Sequence, residues 1–575
     1  MCGIVGSFGR KQVLVKETRQ INKMLASIKY RGPDGNKIIK EKNFITGCAR
    51  LTIVDPLKRS SIPFETNRFI LSYNGELYNY KVLRKILKKD FKFNTKSDTE
   101  VFIKAFEKWG IDCFKRFNGM YACCIYDKIE KKAYLIRDSF GIKPLFYLQH
   151  ENKIFFSSEI KAFKKITKLY LDIKNIKQWF HGGTVDGDET LIKNVKKVEE
   201  GSLVIFDRNL KKKKVQFFKL ENTFKGTGKI NLNKLEKELN YQTKIHMVDK
   251  ASKSAILLSG GLDSSLLAAI IKKKYNNRSK NFYSLSCRVN FPGLNEKQDQ
   301  EEVLSQIKIK NFFINLNSKN FFKNFHDCAK KLDHPCFHPS LVGLDMVIKS
   351  IKIKNLKVIY VGDGADEIFI GYDWFTSTSS DANLKQLLDE VSYNSFKLIE
   401  PAFKTNVKNV NIKKLNKTLI GLNAEEKLRY INQKIYLSKW LYSRDTIGMR
   451  HSIEIRVPYC NTKLLELVNP TKSKFLKDKI MLKTITKKYL NKSNFNRKKI
   501  GFTIPIRFWL TKKILNKFLE KIDLKNIRYY NYSYINKILN EHYSGKKNHI
   551  KFIWTLISFE LWKKSFFNQK INSYN

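Results

Sequence analysis

The chain has 575 residues, 42% of them hydrophobic, and carries 110 Lys and Arg against 53 Asp and Glu, a formal charge of +57 at pH 7. That length predicts two domains of about 200–350 residues, and no apolar run approaches the ~18 residues of a membrane span. No apolar h-region precedes Arg10 and Lys11, so a cytoplasmic chain is expected, without export.

The charge suggests nucleic acid, but Lys is spread along the whole chain beside abundant Asn, Ile, Phe and Tyr. That joint bias is the mark of AT-rich coding, so no nucleic-acid partner is expected. Lys211–Lys214 and Lys272–Lys274 read as solvated faces. The nine cysteines form no CxxC pair, and Cys123 and Cys124 lie inside an apolar strand as buried thiols. His334, Cys336 and His338 surround Pro335 and read as a loop, because no fourth ligand follows at metal-site spacing.

In chain order, the sequence opens Met1-Cys2-Gly3-Ile4-Val5-Gly6. Removal of Met1 would leave Cys2 with a thiol nucleophile and a free α-amine of pKa about 7.7–8.0, able to act as general base near neutrality. Residues 1–210 alternate short apolar strands (Ile4–Phe8, Ile45–Ala49, Phe69–Ser72, Tyr121–Tyr126, Ala133–Arg137, Ile154–Ser157) with two helices, Ile21–Ile28 and Ser97–Phe106. Ser97 or Asp98 is available to cap the second helix. Polar motifs recur at the strand ends: a turn at Arg31–Gly35, Arg50-Leu51-Thr52-Ile53-Val54-Asp55, Tyr73-Asn74-Gly75-Glu76, and Lys96-Ser97-Asp98-Thr99-Glu100. Cleaving the carboxamide of glutamine needs a nucleophile, an oxyanion hole, and groups of both signs for the substrate's charged end. Cys2, Asn74 with the Gly75 N–H, and one Arg with two acids supply that set.

A polar stretch near Glu221–Gly228 predicts a linker over residues 211–232, before a second domain over 233–575. There Ser254–Leu258 reads as a buried strand, followed by Ser259-Gly260-Gly261-Leu262-Asp263-Ser264-Ser265 and an apolar helix through Ile271. A strand, a glycine turn and a helix N-terminus form a phosphate site, here without the lysine of a Walker loop. A second strand, Val358–Val361, runs into Gly362-Asp363-Gly364-Ala365-Asp366-Glu367. Three carboxylates so close together call for a cation or an acid–base task. Arg456–Asn461 precedes a predicted helix at Thr462–Val468, and Lys479 offers a cation for pyrophosphate or an acyl-adenylate.

In this order the motifs resemble those of the glutamine-dependent asparagine synthetase family, together with Arg137–Tyr147 and Ser157–Ala162. The resemblance implies an αββα N-terminal-nucleophile hydrolase domain, followed by a doubly wound α/β domain like that of the ATP pyrophosphatases. It implies Cys2 as nucleophile, Asn74 and Gly75 as oxyanion hole, and Arg50, Glu76 and Asp98 as glutamine clamps beside the Ile53 and Val54 backbones. For ATP it implies the Ser259–Ser265 loop (Ser259, Gly260, Gly261, Asp263, Ser264, Ser265), the Leu258 and Gly362 backbones, and neighbouring Cys287 and Val361. Asp263, Asp366 and Glu367 would lie near Mg2+, Asp363 would deprotonate ammonia, and Arg31 and Met120 would line an ammonia path.

The implied substrates are glutamine, ATP and aspartate, in a chain that could form a homodimer. Tyr30 stands where the family often has His, Asp363 where it has Glu, and Asn461 where it has Asp. The last two leave open a sugar uronic acid as acceptor. Outside the class, a basic nucleic-acid-binding protein is the remaining alternative.

Overall fold

The computed structural model describes residues 2–53, 55, 62–226, 228, 230–249, 252–275, 281–289, 291–294, 296–351, 353–404, 412–491 and 502–567. Two six-stranded antiparallel sheets face each other in the first half. One runs, edge to edge, Val195–Lys197, Phe146–His150, Lys153–Ser157, Cys2–Gly9, Phe44–Arg50, Gly35–Lys40. The other runs Lys212–Gln216, Ser202–Phe206, Lys132–Arg137, Gly119–Asp127, Phe69–Leu77, Phe64–Glu65.

Period-2 alternation in the first strand sends Cys2, Ile4 and Phe8 into the core between the sheets, where they meet Ile70, Cys124 and Tyr126 of the second sheet. Val5 points the other way, onto Ile21, Met24 and Leu25 of the helix Val15–Ser27. The second sheet is covered on its outer face by the helices Tyr80–Leu87 and Asp98–Trp109, through Leu83, Leu87, Phe102 and Phe106. The layers are αββα. Ser97 caps the helix Asp98–Trp109, its side chain accepting from the Glu100 N–H at 3.3 Å.

Two expectations fail here. Tyr73-Asn74-Gly75-Glu76 does not follow the end of a strand at Ser72: the strand continues to Leu77, paired in register with Gly119–Asp127. Residues 211–232 are not a free linker either. Lys212–Gln216 is the edge strand of the second sheet, Leu220–Phe224 is a 3₁₀ turn with Leu220 and Phe224 in the core, and the next helix starts at Leu232. In both segments a neighbouring strand completes the backbone ladder, Gly119–Asp127 for the first and Ser202–Phe206 for the second, so polar side chains do not prevent pairing. Three lysines on an edge strand also discourage pairing with other chains.

The second half is built on a parallel sheet in the order Asn311–Leu316, Phe282–Val289, Lys253–Leu257, Leu356–Tyr360, Glu454–Arg456. Chain order reverses between Lys253–Leu257 and Leu356–Tyr360, and a doubly wound sheet binds ligands at the carboxyl ends of such strands. The glycine-rich loop and the acidic loop both begin there. The helix Ile550–Phe566 is mostly apolar and is buried from Phe552 to Lys563, with Trp554 donating to the Cys336 carbonyl at 2.9 Å. The His334–His338 segment is structural: His334 bonds the Pro335 carbonyl, and His338 caps the helix Pro339–Lys349. No helix among the described residues is long and apolar enough to cross a membrane.

Candidate active sites

Cys2 begins a strand in the middle of its sheet, opposite Arg50 in register, and is 4% exposed. Its backbone N–H donates to Asn74 Oδ1 at 3.0 Å, across the gap between the two sheets. The other amide atom, Asn74 Nδ2, is buried and has no hydrogen-bond partner among the described residues. An unpaired buried donor beside a thiol fits the carbonyl oxygen of a carboxamide. Gly75 is required by close approach, because a Cβ there would lie 2.3 Å from the Met120 carbonyl oxygen.

Burial pushes the Cys2 thiol above its ordinary pKa, opposed by the Leu51 N–H and Arg50. Asp98 accepts from the Leu77 N–H at 2.9 Å and from the Tyr73 hydroxyl at 3.2 Å. Arg50 donates to the Asp55 carbonyl at 2.7 Å, and Ile53 packs against the core. Val54 lies outside the described residues.

Glu76 has a partner from the other half. Arg456 Nη2 stands 3.4 Å from its carboxylate while Nη1 donates to the His246 carbonyl at 2.5 Å. Burial still raises the Glu76 pKa, with Arg456 pulling against it. Local motif reading could not pair Arg456 with Glu76, because the ion pair joins distant segments.

Arg31 is fully buried and connects the halves. Its Nε donates to the Cys2 carbonyl at 3.3 Å, Nη1 meets Glu159 at 2.9 Å, and Nη2 meets Asp445 at 2.6 Å. Lys143 reaches the other oxygen of Asp445 at 3.1 Å, and the Tyr30 hydroxyl donates to Glu159. Met120 is buried opposite Glu76 in the sheet register. The helix Leu437–Arg450 carries Asp445 and, next to it, Arg444, whose Nε donates to Asp363 at 2.7 Å. Polar contacts thus run from Cys2 through Arg31 to Asp445, and from Arg444, its neighbour in chain, to the half-buried Asp363. No sequence motif nominated Asp445 or Arg444.

At the second site Leu258 donates its N–H to the Leu285 carbonyl at 2.9 Å, anchoring the loop to the sheet. The Ser259 hydroxyl accepts from the Gly261 N–H at 3.2 Å, and Ser264 Oγ accepts from the Ser259 N–H at 3.3 Å. Gly260 adopts φ +76°, and a Cβ there would lie 2.7 Å from Asp299 Cβ. Ser265 Oγ is buried without a hydrogen-bond partner among the described residues. Cys287 sits on the adjacent strand, its carbonyl accepting from Gln300 at 3.1 Å. The Val361 N–H donates to the Arg456 carbonyl at 3.0 Å, and Gly362 opens the acidic loop. Asn461 caps the helix Thr462–Val468, accepting from the Leu464 N–H at 2.9 Å.

Lys479 lies between Asp263 and Asp366, at 2.5 and 2.6 Å. Burial alone would lower its pKa, but the two carboxylates hold it above the usual lysine value. Asp478 and Lys479 both take positive φ, +52° and +57°, a strained geometry at ~1–2 kcal/mol per residue that aims the ammonium into the acidic pair. Glu367 accepts from the Tyr372 hydroxyl at 2.7 Å. The expected Mg2+ ligands are therefore engaged by Lys479 and Tyr372, and they do not fit a protein-held Mg2+. Among the described residues no group of three or more His, Cys, Asp or Glu could hold a metal. A separate cavity of 330 Å³ lies between the halves, lined by Trp179, Lys197, Glu200, His334, Lys434 and Lys439, and it includes none of the expected site residues.

Residues 1–218 match the glutamine amidotransferase domain model and residues 234–564 the asparagine synthase model. The chain is 26% identical to glutamine-hydrolyzing asparagine synthetase 1 of Bacillus subtilis, over 98% of this chain and 96% of that one. It is 31% identical to a putative asparagine synthetase 2 of Methanocaldococcus jannaschii, over 65% of this chain and 76% of that protein. With asparagine synthetase B of Escherichia coli the identity is 28%, over 68% and 67%. The chain belongs to the asparagine synthase family and is a glutamine-dependent amidotransferase, with a glutaminase-type domain joined to a synthetase domain.

Proposed function

We propose that the chain amidates L-aspartate to L-asparagine in the cytoplasm, with glutamine as nitrogen donor and ATP cleaved to AMP and pyrophosphate. Once Met1 is removed, the Cys2 thiol attacks the glutamine side-chain carbonyl, and the α-amine of Cys2 takes the thiol proton. Asn74 Nδ2 and the Gly75 N–H stabilise the oxyanion. Arg50, Glu76 and Asp98, with the Ile53 and Val54 backbones, hold the charged end of glutamine. Ammonia leaves, water cleaves the thioester to glutamate, and the ammonia moves past Arg31 and Met120 to the second site.

There an acceptor carboxylate oxygen attacks the α-phosphorus of ATP and pyrophosphate leaves. The Ser259–Ser265 loop holds the phosphates, Leu258, Cys287, Val361 and Gly362 flank the nucleotide, and Lys479 neutralises the charge that develops. Magnesium enters as part of the nucleotide substrate. Asp363 takes a proton from ammonia as its nitrogen attacks the acyl carbon, and AMP departs.

The observation that carries this reading is the pair of contacts on one helix, Asp445 joined through Arg31 to Cys2 and its chain neighbour Arg444 joined to Asp363. Incubation with L-aspartate, glutamine and MgATP should yield asparagine, glutamate, AMP and pyrophosphate in equal amounts. Cys2→Ala should lose synthesis from glutamine and keep synthesis from ammonia. No asparagine despite glutamate release would move the acceptor to a sugar uronic acid.

A further inference from the structure

Arg444 touches the proposed ammonia base and lies outside every motif. Its Nε donates to Asp363 Oδ2 at 2.7 Å and its Nη2 approaches Oδ1 at 3.5 Å, so one planar guanidinium spans both carboxylate oxygens. The third nitrogen, Nη1, is buried and has no hydrogen-bond partner among the described residues. The guanidinium also stacks over Trp440, 5.3 Å from the ring centre, which holds its plane. A buried cationic N–H left unmet is costly, so such a group points to an anionic partner that the protein does not supply. Asp363 cannot be that partner, since the other two nitrogens face its oxygens.

The chemistry narrows the partner. Adenylation turns one acceptor carboxyl into the acyl half of a mixed anhydride, which no longer carries the carboxylate charge. An acceptor with a single carboxyl, such as a uronic acid, then offers no carboxylate for the guanidinium. An acceptor with two keeps one. We propose that Arg444 is the specificity residue of the acceptor site, its Nη1 binding the carboxylate that is not activated while Nε and Nη2 hold Asp363. This rests on the aspartate reading above. One rigid fork then fixes the acceptor relative to the base, which a lysine, a point charge without a plane, does less well.

The test uses the whole enzyme with MgATP and ammonia, and compares L-aspartate with β-alanine by pyrophosphate release. β-Alanine keeps the amine and the carboxyl to be activated but lacks the second carboxylate. The wild type should prefer aspartate by about 10²-fold in kcat/KM, the scale of a buried charge-assisted bond. Arg444→Met should bring the two acceptors to within about tenfold, mainly through a higher KM for aspartate. Releasing Asp363 slows both acceptors alike, so the ratio isolates recognition from positioning. Arg444→Lys should restore part of the preference.

A wild-type ratio in Arg444→Met overturns the assignment. If that variant does not melt as a folded protein, an unaltered ratio in Arg444→Lys overturns it instead. Wild-type enzyme that releases glutamate from glutamine but turns over neither acceptor removes the aspartate reading, and this assignment with it.

Discussion

Replacing Asn74 by aspartate separates the two jobs of one side chain. Oδ1 accepts from the Cys2 N–H at 3.0 Å, and Nδ2 is buried with no partner among the described residues. Aspartate has the same shape and keeps the acceptor, so the strand carrying Cys2 stays in place. What disappears is the donor, and loss of one oxyanion-hole donor typically lowers turnover by ~10²–10³. The substitution also puts a carboxylate beside a developing negative charge. At ~4 Å and an effective dielectric of about 20, that repulsion is on the order of 4 kcal/mol, so the loss should reach or exceed the upper end of the range. Glutamate release from glutamine is the assay, with ammonia-driven amide formation as the control for an intact second domain. Glutamine hydrolysis within about threefold of wild type would refute the oxyanion role. Equal loss with ammonia as donor would mean that the fold, not the site, had been damaged.

Two further substitutions test the junction between the halves. Arg31→Met leaves Glu159 and Asp445 buried without their shared cation, and should cost ~3–5 kcal/mol in urea unfolding; a midpoint equal to wild type would show that the pairing is dispensable. Glu200 lies 2.8 Å from Lys434, and although burial raises its pKa, Lys434, Arg137 and Lys197 lower it from 4.5 to about 2. A depressed carboxylate pKa contributes stability that is fully present above about 4.5 and is lost as pH falls towards about 2. Glu200→Gln should therefore be less stable at pH 7 by roughly 3 kcal/mol, with the gap closing across that acidic window; a difference independent of pH would contradict the pairing.

The groups legible in the sequence are those whose neighbours in chain are also their neighbours in function. Ser259–Ser265 and Asp363–Glu367 each follow a buried strand, so composition and order were enough to mark them, and the structure sets both at the switch point of the parallel sheet. Cys2 was marked by its position together with the motifs around Arg50, Asn74 and Asp98 that follow it. Arg456 and Arg444 were not marked as site residues, because each acts on a carboxylate far away in sequence and sits in a helix or strand that reads as ordinary. The extension of Phe69–Leu77 through Asn74 and Gly75 escaped for a related reason. Its polar residues suggest a turn locally, while pairing with Gly119–Asp127 and burial between layers make it a strand. Lys479 was visible only as one lysine among many; its left-handed backbone and its two carboxylates are tertiary facts.

The buried helix Ile550–Phe566 has a consequence for how the protein is made. Trp554 and Ser558 bond the Cys336 carbonyl, Phe559 packs on Trp179 and Phe180, and Lys164 reaches the Phe566 carbonyl across 402 residues of sequence. A ribosome adding ~5–20 residues per second needs on the order of 20–80 s to traverse that interval. During it the apolar surface around Phe180, and from its synthesis onward that around Phe325, has no covering helix. The nascent chain therefore passes a long window with adhesive surface on display, and its yield in a cell should depend on chaperone supply and translation speed as much as on the stability of the finished fold.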